Sequence, residues 1–226
     1  MSEQLPILAV LGGTGPQGSG LALRWAQAGY RVVIGGRDGV RAQSVAAELS
    51  TKLAGATLEG ADNLAAAKAA GVVVLAVPYA AQSDTAMSAR DGLEGKILVD
   101  VTVPLVPPKV GTVQLPEGGS AVVALQKKLG TGVRVVSAFQ NISAQHLHDL
   151  EHGIDCDVLV CGDDNAACET AVTLAAAAGM RGWRAGPLAN SAAAEALTSI
   201  LISINRRYKI AGAGIRITGE AKEAGA

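Results

Sequence analysis

An almost unbroken apolar run, Leu5 to Leu11, empties into Gly12-Gly13-Thr14-Gly15-Pro16-Gln17-Gly18. No other feature constrains the fold as strongly. Gly13, Gly15 and Gly18 fit G-x-G-x-x-G, a pattern that carries weight only between a strand and a helix, with a second strand following. Those conditions are met. Leu21, Ala22, Trp25 and Ala26 share one helical face, Gly29 offers a stop, and Arg31 to Ile34 is a second apolar run. The physical demands on the loop are specific. Gly13 allows a tight turn, Gly15 lets the backbone approach a pyrophosphate, and Gly18 lets the helix pack closely on the strand. The start of that helix presents free N–H groups and the positive end of its dipole to an anion.

The alternation continues along the chain. Further short apolar runs, Val72–Val77, Ile97–Val101, Val133–Val136, Val158–Cys161 and Arg181–Ala185, read as buried strands. Helical patterns occupy Val40–Leu53, Leu64–Ala70, Gln82–Arg90, Asn165–Ala178 and Ser191–Tyr208. This β-α-β order predicts an α/β fold, a Rossmann-type doubly wound parallel sheet with right-handed crossovers. Residues 104–119, rich in Pro and Gly, predict a long functional loop. The Ser191–Tyr208 helix is Ala-rich on one side and Leu/Ile-rich on the other, so a core and a second subunit are expected to cover it.

Composition removes whole classes of function. With 49% hydrophobic residues and a net charge of -1, the chain lacks the signature of disorder and any overall basic field for nucleic acid. No run of about 18 apolar residues predicts a membrane span. Met-Ser-Glu-Gln at the start does not resemble a secretory signal, and Gly219–Ala226 at the end reads as a frayed tail. Cys156, Cys161 and Cys168 form no C-x-x-C pair, so neither a disulfide framework nor a thiolate metal site is expected, and a cytoplasmic location fits. The three histidines, His146, His148 and His152, have no metal-ligand pattern beside them.

The tip of the second strand decides between dinucleotides. An NAD site places Asp or Glu there to grip the ribose 2′-OH. Here the tip reads Ile34-Gly35-Gly36-Arg37-Asp38, and Arg41 follows one helical turn after Arg37. Two guanidiniums match a 2′-phosphate in charge and fork geometry, which predicts NADP(H). Asp38 reads as a helix cap. A substrate would lie beyond the strand ends, near Ala76–Tyr79, Asp100–Pro104, Ser137–Ala144 and Cys161–Asp164. No nucleophile–base pair and no acid–base dyad emerges from the sequence. Hydride transfer between two bound cofactors needs neither, because the cofactors carry the chemistry.

Leu11-Gly12-Gly13-Thr14-Gly15-x-x-Gly18, Gly35-x-Arg37, Val77-Pro78, Val136-Ser137-Ala138, Val160-Cys161-Gly162-Asp163-Asp164 and Ala185-Gly186-Pro187-Leu188-x-Asn190-Ser191 occur in this order. Together they resemble the NADPH-dependent coenzyme F420 reductases, or 8-hydroxy-5-deazaflavin:NADP oxidoreductases. The resemblance spans about residues 5 to 218. It implies a Rossmann domain over residues 1–144, a small C-terminal α/β domain over 145–226 and a homodimer. It also implies reversible hydride transfer between NADP(H) and coenzyme F420, with no catalytic side chain and no metal. By motif position, Thr14, Gly15, Pro16 and Gln17 would hold the pyrophosphate and Gly36, Arg37 and Arg41 the 2′-phosphate. Val77, Pro78, Val103 and Ala144 would border the cofactor toward its nicotinamide end, and Gln140, Asn141, Ile142 and Ser143 the deazaflavin. Three positions depart from the family pattern: Gly36 stands where Ser is usual, Arg41 where Lys is frequent, and Gln140 where His also occurs. The readings that compete are an NADP-binding redox sensor without turnover, and an NADPH-dependent reductase of an imine, flavin or ferric acceptor.

Overall fold

Residues 5–53, 55–56 and 58–219 are described by a computed structural model. The N-terminal residues 1–4 and the tail 220–226 lie outside the described residues. The elements in chain order are β1 (Leu8–Leu11), α1 (Pro16–Gln27), β2 (Val32–Gly36), α2 (Gly39–Ser50), β3 (Leu58–Asp62), α3 (Asn63–Ala69), β4 (Val72–Leu75) and α4 (Tyr79–Ser88). They continue with β5 (Ile97–Asp100), α5 (Ala121–Leu129), β6 (Arg134–Ser137), α6 (Ala144–Leu147), β7 (Asp157–Gly162), α7 (Asn165–Ala177), β8 (Arg181–Arg184) and α8 (Ser191–Tyr208). The strands form one sheet in the order β3-β2-β1-β4-β5-β6-β7-β8.

The period-two geometry of a strand sends alternate residues to opposite faces. Leu8, Val10, Val32, Ile34, Val72, Val74 and Val99 join one core with residues of α1, α2 and α7. Ala9, Leu11, Val33, Val73, Leu75 and Leu98 join the other with residues of α3, α4 and α5. Burial on both faces explains why these strands read as continuous apolar runs. The β1–β4 junction reverses the strand order and places a crevice beyond the carboxyl ends, where such sheets take ligands.

The fold adds three elements to those read from the sequence: β3, α5 and the short α6. Strand β3 carries a single large apolar residue, Leu58, and pairs only with β2 at the sheet edge. A Cβ on its Gly60 would lie 2.4 Å from the Ala42 carbonyl group, so the glycine lets α2 rest directly on the strand. Helix α5 follows the Pro/Gly-rich loop. Its signals are the cap Ser120, whose Oγ accepts the Val123 N–H at 3.0 Å, and the spacing of Val122, Leu125 and Leu129.

One junction differs from the all-parallel expectation. Strand β7 runs antiparallel to β6, pairing only Val136 with Gly162 and Ser137 with Cys161. The connection 138–156 contains only the short α6 and no crossover helix, so the chain returns in the opposite sense. Residues 157–160 of β7 therefore overhang the carboxyl end of β6. Strand β8 joins β7 in parallel and ends the sheet with exposed Arg181 and Arg184.

Helix α1 binds α7 and the 138–156 connection to the first strands. Trp25 Nε1 donates to the Leu174 carbonyl of α7 at 2.8 Å, and its ring meets Phe139 edge-on at 5.8 Å. Buried Arg24 donates to the carbonyls of Leu147 (3.1 Å), His146 (2.9 Å), His152 (3.0 Å) and Asp149. One guanidinium thus satisfies the carbonyls of a turn that has no regular partner. Arg24→Met should lower the unfolding free energy by about 3 kcal/mol, the scale of losing charged hydrogen bonds and leaving buried acceptors unpaired. A urea titration would check this, and Arg24→Lys should recover little of the loss because an ammonium lacks the fork.

Candidate functional site

The site starts from the turn between β1 and α1. Gly12 sits at φ +77, and a Cβ there would lie 2.4 Å from Val77 Cγ1 and 2.5 Å from the Ala76 carbonyl oxygen. The strained position is thus Gly12, one residue before the motif glycine expected to make the tight turn. A Cβ on Gly13 would strike Val10 O at 2.7 Å, and one on Gly18 would strike Gly12 O and Gly13 Cα at 2.8 Å. Gly15 differs: only Gly12 O, at 3.4 Å, lies near its missing Cβ. Its outer side is open to an incoming group. Helix α1 begins with Pro16, has no side-chain cap and has no acidic residue in its first turn. The first-turn N–H groups are left for an anion, and nothing negative competes for their dipole.

At the end of β2, Asp38 is committed elsewhere. Its Oδ1 accepts the Val40 N–H at 2.9 Å and the Arg41 N–H at 3.2 Å, capping α2. Arg37 and Arg41 are exposed, and among the described residues neither forms an ion pair. Arg37 lines a hollow of about 600 Å³ with Gly36, Asn63, Ala81 and Thr85. Arg41 stands one turn along α2 and lines none of the site's hollows.

A second hollow, of about 240 Å³, continues over Gly12, Thr14 and Gly15 and shares Gly36, Arg37, Asn63 and Thr85 with the first. It shares Gly15, Val77 and Pro78 with a third, of about 610 Å³. The three make one trough crossing the ends of β2, β1, β4, β5 and β6. Four interstrand spacings give it a span of about 19 Å.

The third hollow carries Pro16, Gln17, Val103, Gln140 and Ile142, all expected from the sequence. It also carries Phe139 and Thr198. Phe139 adopts φ +69, a left-handed turn that aims the next residue into the hollow while its own ring is buried. Thr198 Oγ1 donates to the Gln140 carbonyl at 2.8 Å, and Gln140 Nε2 donates to the Asp100 carbonyl at 2.8 Å. The sole Phe of the chain was a usable sequence signal. Thr198 was hidden in a helix that reads as Ala, Leu and Ile, and Asn63 follows the unexpected β3.

Besides Arg41 and the turn glycines Gly13 and Gly18, three expected residues lie off the trough. Asn141 Nδ2 donates to the Asp157 carbonyl at 3.0 Å and to Cys156 Sγ at 3.4 Å. Ser143 lines a separate hollow of about 260 Å³ with His146 and Cys156, and Ala144 starts α6 without entering the trough. The histidines serve the surrounding segment: His146 meets the Gly212 carbonyl at 3.0 Å, His148 the Pro16 carbonyl at 2.8 Å, and His152 the Asp149 carboxylate at 2.9 Å. All three cysteines are free and buried, and burial raises their thiols, Cys161 to about 11. They are poor thiolates.

Apart from the Tyr79 phenol, no titratable side chain lines the third hollow. Asp100 lies behind it, wholly buried. Burial pushes its carboxyl up to about 6, although hydrogen bonds from Thr102 and Gln82 pull it down. The arrangement suits a reaction in which two ligands react directly and the protein orients them and excludes water. Among the described residues no helix is long and apolar enough to cross a membrane.

Comparison with known proteins agrees with this geometry. Residues 7–104 match the family described as NADP oxidoreductase, coenzyme F420-dependent. The F420-dependent NADP reductase of Methanothermobacter thermautotrophicus is 43% identical over 219 residues, covering 93% of this chain and 94% of that protein. Its namesake from Methanocaldococcus jannaschii is 39% identical over 219 residues, covering 93% and 97%. A solved chain from Arthrobacter sp. FB24, provisionally named an F420-dependent NADP reductase, superposes with a TM-score of 0.77 at 26% identity, covering 95% of this chain and 100% of that one. The α/β Rossmann-like sheet, the uncapped glycine turn and the near-full-length likeness place this chain in the F420-dependent NADP reductase family.

Proposed function

We propose that the protein is an oxidoreductase that moves a hydride reversibly between NADP(H) and the deazaflavin coenzyme F420. The carrying observation is the asymmetry of the trough. One end offers an unpaired guanidinium and uncapped N–H groups, and the other an apolar hollow almost free of ionisable groups. NADPH, when bound, supplies the hydride. The chain's own residues bind, orient and shield.

Gly13, Thr14, Gly15, Pro16, Gln17 and Gly18 form the pyrophosphate turn in this reading. Gly36 and Arg37 take the 2′-phosphate, with Arg41 adding charge from α2. A Cβ on Gly36 would lie 3.3 Å from the Asp38 main-chain oxygen and 3.5 Å from Thr14 Cγ2, and with no hydroxyl at this position Arg37 carries more of the recognition than it would beside a serine. Val77, Pro78 and Val103 border the nicotinamide end. Gln140 and Ile142 face the deazaflavin, while Asn141, Ser143 and Ala144 hold that segment from behind. Residues 1–144 act as the dinucleotide unit, and 145–226 complete the acceptor side. The free, buried cysteines fit a reducing, cytoplasmic compartment.

A homodimer fits α8, whose outward face carries Ile200, 48% exposed, beside Ile204 and Leu197. An exposed apolar stripe of this kind is the usual mark of a covered face. Light scattering should give a dimer mass, and Ile200→Glu should shift it to a monomer.

Mixing the protein with NADPH and oxidised deazaflavin should bleach the deazaflavin's visible absorbance. NADPH binding without bleaching would refute hydride transfer. Arg37→Ala should weaken NADPH at least tenfold while leaving NADH nearly unchanged, since one charge-assisted contact is worth about 1.5–3 kcal/mol. Fluorescence titrations with both nucleotides would measure the difference, and equal losses would show that Arg37 does not read the phosphate.

A further inference from the structure

Asp100 is a wholly buried carboxyl at the carboxyl end of β5, and it does not line the trough. Each of its polar partners belongs to an element that does. Its Oδ2 accepts Gln82 Nε2 at 2.6 Å, from α4, whose first residues Tyr79 and Ala80 form one wall of the third hollow. Its Oδ1 accepts the Thr102 N–H at 2.9 Å, fixing the turn between Val101 and Val103 on the floor. Its main-chain oxygen accepts Gln140 Nε2 at 2.8 Å, on the far side. Gln82 is itself buried, 4% exposed, so neither partner has water as a substitute.

We propose that Asp100 is a positioning residue whose carboxyl sets the spacing of the walls of the acceptor hollow by tying α4 and the 101–103 turn to one strand end, beside the main-chain oxygen that holds Gln140. This rests on the hydride-transfer reading, because the spacing matters only if two rings must meet there. Wholly burying a carboxyl is costly, and an apolar residue of similar volume would often be as stable or more so. The cost falls where one carboxyl can hold two sides of the hollow at once, α4 and the 101–103 turn. A displacement of about 1 Å in such a wall can cost on the order of a hundredfold in rate.

The test uses the full chain, NADPH and oxidised deazaflavin. Asp100→Ala should lower kcat roughly tenfold to hundredfold, while the dissociation constant for NADPH changes less than about twofold. Asp100→Asn should restore most of the rate. Its Oδ1 can still accept the Thr102 N–H, and its amide can donate to Gln82 once that side chain turns over. Should Asp100→Ala fail to fold, Gln82→Met removes the α4 arm alone and should lower kcat in the same direction. Adding Asp100→Asn to Gln82→Met should cost little more, since Gln82→Met has already removed that arm and Asn keeps the Thr102 contact. An Asn variant as slow as the Ala variant would overturn the proposal, since the acid itself would then be required. So would an Ala variant that loses rate and NADPH affinity equally, or one with unchanged kcat. Wild-type protein that binds NADPH but never bleaches the deazaflavin would refute hydride transfer, and this proposal with it, before any variant is compared.

Discussion

The structure depends on how closely α1 can begin to the end of β1. Gly12, Gly13 and Gly18 meet there with no side chain between them, and any Cβ would fall within 3 Å of a neighbouring atom. That contact directs the helix start at the trough and lays Arg24 and Trp25 against the C-terminal third of the chain. The uncapped first-turn N–H groups and the anchoring of α7 and the 138–156 connection are therefore two ends of one helix. A shift of α1 on its glycine seat would move both.

The parts of this architecture legible in the sequence are those written in repeated, short-range terms. The buried strands β1, β2, β4 and β5 read as apolar runs because helices cover both of their faces. The Asp38 cap and the arginine after Gly36 were legible because each role needs one residue type at one place. Strand β3 was not, because an edge strand needs little apolar surface, and its Gly60 serves the helix above it. The reversal at β7 was not, because β strands look alike in either direction, and only the missing crossover helix tells them apart. In the site, Thr198, Asn63 and Gln82 escaped notice because their significance comes from partners far along the chain.

The polar economy of the molecule is uneven. The third hollow holds almost no titratable group, yet two buried carboxyls stand just behind it. Glu195 of α8 accepts from Ser120 Oγ at 2.6 Å, Ala121 N–H at 2.8 Å and Val122 N–H at 3.3 Å, so it caps α5 from another helix. Negative charge at a helix start is favourable, and this contact ties α8 to the start of α5. Asp100 has no such helix end to face, and burial raises its proton affinity. The hollow stays electrically quiet while the charges that shape it are kept one layer away.

The sheet ends in two open edges, and both carry charge. Strand β3 presents Glu59, paired with Arg31 at 2.6 Å, and Asp62. Strand β8 presents Arg181 and Arg184, with Arg181 lying over the Trp183 ring at 3.8 Å. Charged side chains on an edge strand oppose the addition of another strand. An eight-stranded sheet is otherwise a template for endless growth, and this one is blunted at both margins. Copies of the molecule can thus crowd together at high concentration without their sheets fusing into fibres.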